Sequence, residues 1–214
     1  MQKNIYSLLL TDEIINEIDR IAYENSTSRS NMVNQILAEY ISYTTPEQNM
    51  RDVFTRIESI LVSANSFQPV LQPSLSMYSI RSSLDYKYNP TVKYCVELCT
   101  DRSEYLGELR VSVRSQSESF KLLLLQFFKL WMKLEKVTNG NSEATIDEDK
   151  YIKRLYLCRN IESNDEIGES IAEYIRTMNH GLNTFLKLYN RPDSAIEKVN
   201  DIYHNYILTD PIIL

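Results

Sequence analysis

Side chains able to do covalent or metal chemistry are few in this sequence. The 2 histidines, His180 and His204, have no Cys, Asp or Glu at metal-ligand spacing in a short motif, so each reads as an exposed or hydrogen-bonded imidazole. The 3 cysteines are Cys95, Cys99 and Cys158. An odd number without close pairing points to reduced thiols and a cytoplasmic protein. No glycine-rich phosphate loop, nucleophile elbow or metalloprotease helix occurs, so no motif argues for an enzyme or calls for a cofactor or metal. What the chain does offer is an anion-binding start of a helix at Ser28-Arg29-Ser30. Ser28 is a natural N-cap that leaves the amides of Arg29 and Ser30 free in the first turn. Such a terminus binds phosphate without net positive charge, and Arg29 adds a cation.

The elements that must position this turn lie between Lys3 and Tyr43. Ile5 to Leu10 alternates, placing Tyr6, Leu8 and Leu10 on one side of a strand and Ile5, Ser7 and Leu9 on the other. Thr11 caps a first helix whose apolar stripe is Ile14, Ile15, Ile18, Ile21 and Ala22, with Asp12 and Glu13 at its positive dipole end. After a polar break, Val33, Ile36, Leu37, Tyr40 and Ile41 form a second stripe. One strand and two short helices are too small to bury these faces alone, so the pattern predicts a dimer.

This order of strand, helix, polar turn and helix, with Thr11-Asp12-Glu13 and Ser28-Arg29-Ser30-Asn31 at the two helix starts, resembles the ribbon-helix-helix family, the Arc, MetJ and CopG group. The resemblance covers residues 3–43. It implies a homodimeric, repressor-like transcription regulator whose paired strands enter the major groove of double-stranded DNA. The DNA-binding set it implies is Lys3, Ile5, Ser7 and Leu9 on the ribbon, with Ser28, Arg29 and Ser30 on phosphates. Ile5 and Leu9 suit thymine methyl groups, and Ser7 suits a base edge.

Charge pulls the other way. The chain carries a net charge of -6, and residues 1–45 hold only Lys3, Arg20 and Arg29 against six carboxylates. Nucleic-acid affinity ordinarily leans on clustered Lys and Arg. The competing expectation is therefore an antitoxin-like assembly or interaction protein that uses the N-terminal fold only to dimerise. The lysines at 129, 133 and 136 and the segment Lys150–Arg154 are where a positive footprint would have to come from.

Thr44-Thr45-Pro46 starts a further helix with Met50, Val53, Ile57, Ile60 and Ala64 at heptad spacing, either a short coiled coil or a helix docked on the next domain. Residues 66–74 read as a linker. From Met77 the period falls to two, predicting three antiparallel strands over Tyr78–Tyr88, Val92–Cys99 and Glu108–Arg114. In the segment Ser117–Val137 the polar positions Gln126, Lys129, Lys133 and Lys136 fall on one narrow stripe and almost everything else is Leu, Phe, Trp131 or Met132, which predicts a central helix, and its lysines argue against a membrane anchor. Asn139-Gly140 ends it. Helical patterns follow near 149–160, 165–189 and 193–207, and the apolar tail Pro211–Leu214 is expected to be tied down.

The predicted fold is mainly α with α+β. A ribbon-helix-helix over residues 1–45, a connecting helix and linker over 46–75, and a three-strand meander covered by helices over 76–214 make it up. The last part is expected to sense a ligand, to bind a protein partner or to extend the oligomer, with no membrane contact.

Overall fold

The computed structural model describes residues 7–41, 43–63, 66–71, 74–100, 105–138, 143–157, 163–209 and 211. The chain divides into two units, Met1–Asn49 and Met50–Leu214. In the first, Thr11 is extended and α1 (Asp12–Glu24) follows, with Asp12 and Glu13 in its first turn. Ser26 takes a left-handed φ of 50° in the connecting turn. Ser28 then caps α2 (Arg29–Tyr40), its hydroxyl accepting from the Asn31 amide at 3.3 Å. The helices share a small core of Ile18, Ala22 and Met32, with Ile21 and Val33 packed beside it.

The strand expected before α1 is not seen, and the ribbon-helix-helix reading of the fold is corrected accordingly. Ser7–Leu10 is neither helix nor strand and is exposed throughout. A strand needs a neighbour for its N–H and C=O groups, and the described residues of this unit contain none. Lys3, Ile5 and Tyr6 lie outside the described residues.

The second unit is a single antiparallel sheet with helices against one face. It comprises α3 (Pro46–Ser63), β1 (Phe67–Val70), β2 (Met77–Ser83), β3 (Thr91–Leu98), β4 (Gly107–Val113), α4 (Glu118–Thr138), β5 (Ala144–Asp147), β6 (Lys150–Leu155), α5 (Asn164–Lys187) and α6 (Pro192–Ile207). The spatial order is β1-β2-β3-β4-β6-β5. Alternation sorts the two faces: Val92, Tyr94, Val96, Leu109, Val111, Tyr151 and Leu155 are buried under helices, while Lys93, Glu97, Glu108, Arg110 and Arg154 face away from them. α3 is no free-standing coiled coil; from Met50 on, its Val53, Ile57 and Leu61 are fully buried in this core.

The sheet has six strands where three were predicted. Phe67–Val70, read as part of a linker because the stretch has no period, pairs with β2 as an edge strand, the place where the missing N–H of Pro69 is tolerated. Residues 150–155, read as helical, pair with both β4 and β5. Their alternation is short, and the hairpin turns through Glu148 at φ 51° instead of the usual Gly or Asn. β2 stops at Ser83 because Leu84–Pro90 closes on itself, with Tyr88 and Asn89 both left-handed. The tail beyond Pro211 lies outside the described residues.

Helix α5 crosses α3 closely at Gly168. A Cβ there would come within 2.8 Å of the Val53 carbonyl oxygen and 2.7 Å of the Arg56 Cβ. Gly168→Ala should therefore lower stability by about 1–3 kcal/mol in urea unfolding, although Ala is the better helix former. An unchanged or higher midpoint would mean that the two helices have room to separate.

Candidate functional site

Of the residues assigned to DNA, Lys3 and Ile5 lie outside the described residues. Ser7 and Leu9 are exposed on the segment before α1, and Ser28, Arg29 and Ser30 are exposed at the start of α2. Arg29 is not a free cation. Its Nε donates to Asp19 Oδ1 at 2.6 Å and its Nη2 to Asp19 Oδ2, which holds the carboxyl below the usual range through those hydrogen bonds. Arg20 is likewise engaged, with Glu17 and Glu24. The two other cationic segments differ from each other. Lys129, Lys133 and Lys136 are exposed along α4, whereas Lys153 is buried and Arg154 pairs with Glu143 at 2.6 Å.

Around Lys153 sits an arrangement that reading the sequence missed. Glu135 of α4 is 0% exposed and Lys153 of β6 is 1% exposed, with 2.9 Å between Nζ and Oε1. The Tyr151 hydroxyl donates to Glu135 Oε2 at 2.5 Å, and the Tyr174 hydroxyl, from α5, donates to Oε1. Trp131 Nε1 in turn donates to the Tyr174 oxygen at 3.0 Å, and Lys153 Nζ lies 5.1 Å from the Tyr174 ring centroid. Burial, then the Glu135 charge, pushes both phenols well above the ordinary tyrosine range. The cluster is buried from solvent and ties α4, β6 and α5 together. The signal in the sequence was a carboxylate, Glu135, placed on the apolar side of a helix.

A polar cleft of about 490 Å³ opens in this unit where β1, β2 and β3 meet α5. Arg81 and Gln68 line one side, and Ser82, Asn179, Asn183 and Asp85 the other. Its floor is rigidly bonded. The Tyr94 hydroxyl donates to Asn179 Oδ1 at 3.1 Å, Asn179 Nδ2 donates to Ser82 Oγ at 3.3 Å, and Asn183 Nδ2 donates to the Asn179 carbonyl at 2.9 Å. Asn183 Oδ1 then accepts the Asp85 amide at 2.9 Å. None of these residues forms a short motif, because the cleft is assembled from positions about a hundred apart. His180 and His204 are both exposed, and no metal-binding group of acidic, His and Cys side chains is present among the described residues.

Comparison with models of protein families, with curated proteins and with solved structures finds no match to this chain.

Two outcomes test the buried cluster. Lys153→Met should cost about 3–5 kcal/mol in urea unfolding, because it strands a buried carboxylate, and adding Glu135→Gln should recover at least about 1 kcal/mol of that. Purely additive losses would show that the two charges do not depend on each other. Secondly, folding favours the neutral phenols, so their contribution is complete below the unfolded tyrosine pKa and is lost as pH rises above about 10. Tyr174→Phe should flatten that alkaline fall.

Proposed function

We propose that this chain is a cytoplasmic, homodimeric DNA-binding regulator that self-associates through its N-terminal helix pair. The observation that carries it is exposed apolar surface among the described residues of that unit. Leu8, Leu9, Leu10, Ile14, Leu37 and Ile41 are all exposed on a unit whose own core is a few side chains. Patches of this kind mark association sites, and a second copy is the partner always present in equal amount. Pairing two units presents two capped α2 starts to DNA, with Ser28, Arg29 and Ser30 as the proposed phosphate contacts. The base-reading strand is not retained. The Arg29–Asp19 pair is solvent-exposed on both sides, and pairs of that kind are weak enough for a phosphate to displace the carboxylate. Cytoplasmic residence agrees with the free thiols of Cys95 and Cys99, and no helix among the described residues is long and apolar enough to cross a membrane.

A second reading, an assembly protein that dimerises without touching DNA, is favoured by the same Arg29–Asp19 pair and by the net charge of -6. The two readings part on Asp19→Ala. If α2 starts sit on phosphates, freeing Arg29 should tighten binding to DNA from the chain's own upstream region several-fold and steepen its salt dependence, while Arg29→Ala does the reverse. Absence of binding at low salt by all three proteins would leave the assembly reading alone.

A further inference from the structure

The polar cleft of the second unit has the make-up of a small-molecule site, and we propose that it binds a hydroxyl-rich small molecule carrying one anionic group, a sugar acid or a sugar phosphate. Charge comes first. Asp85 is neutralised by Lys187 at 2.8 Å, whereas Arg81 has no carboxylate partner among the described residues and donates only to Gln68 Oε1 at 3.1 Å. The cleft thus keeps one uncompensated guanidinium, a group that takes carboxylate or phosphate through two parallel hydrogen bonds.

The rest of the lining supplies neutral donors and acceptors. Ser83 and Thr91 add hydroxyls beside the amides of Gln68, Asn179 and Asn183, and among the described residues no aromatic or aliphatic side chain lines the space. That excludes a nucleobase or an acyl chain, which need an apolar or stacking surface, and suits a molecule with a hydrogen-bonding group on most carbons. The floor groups are set in advance: Asn179 is 9% exposed and Ser82 is 4% exposed. The Tyr94 hydroxyl donates to Asn179, Asn179 donates to Ser82, and Asn183 donates to the Asn179 carbonyl within α5, so little ordering remains to be done on binding. A volume of about 490 Å³ lies within the range of ligand pockets and holds a monosaccharide. The inference concerns the second unit alone and stands apart from DNA binding.

The test is calorimetric titration of the full chain with gluconate, glucose 6-phosphate, glucose and inorganic phosphate. The two sugar anions should bind with Kd of about 1 mM or tighter, and glucose or phosphate alone at least roughly tenfold more weakly. Arg81→Met, at an exposed position, should weaken both sugar anions at least about tenfold while leaving the ligand-free melting temperature unchanged. Thr91→Val, on the neighbouring strand, should weaken them less. No heat with either sugar anion up to about 10 mM, or binding that ignores Arg81→Met, would overturn the proposal. Phosphate binding as tightly as the sugar phosphate would overturn it too, since the cleft would then be an anion site only.

Discussion

The second unit is organised around an ion pair buried from solvent. Glu135 and Lys153 come from a helix and a strand that the chain could have packed with leucine. Exchanging such a pair for apolar residues is often neutral or stabilising, so its presence is poor evidence of added stability. What it does impose is geometry. A lysine on β6 has a partner only if α4 lies over that strand in one register. Glu135 keeps its other contacts only if Tyr151 and the α5 residue Tyr174 reach the same point. Trp131 and Tyr203 pack around it, edge to face at 5.2 Å. Sheet, central helix and C-terminal helices are thereby tied at one place, and a slipped strand would bury a lone charge.

The N-terminal unit obeys the opposite constraint. Among its described residues it has no such tie and few buried side chains, and many of its larger apolar residues are exposed. One unit buries a large core, and the other buries only a few side chains. That division agrees with a protein in which one part assembles and the other recognises. The cleft on α5 belongs to the complete unit, where rigid elements hold amides and a guanidinium at fixed separations.

Much of the helical content was legible because its periods are long. The α5 stripe Ile167, Ile171, Tyr174, Met178, Leu182 and Phe185 is buried at every member, and α4 reads as central because Phe127, Phe128 and Trp131 leave it little polar face. Short elements were not legible. Phe67–Val70 carries a proline, and Lys150–Leu155 alternates for too few residues to be told from a helical turn. The N-terminal run failed for another reason. Its alternation is that of a strand, but alternation describes side-chain faces and says nothing of the hydrogen-bonding neighbour a strand requires. Neither the cleft nor the buried pair is a local pattern, since Arg81 meets Asn179, and Glu135 meets Lys153, only after the sheet has formed.

Association through the N-terminal unit is the claim on which the functional account turns, and sedimentation equilibrium of the full chain over a wide concentration range tests it most directly. The account predicts a dimer in the low micromolar range that dissociates when Leu37 and Ile41 are replaced by Ser, with the far-ultraviolet signature of the second unit retained. A wild-type protein that sediments as a monomer at every concentration would contradict it.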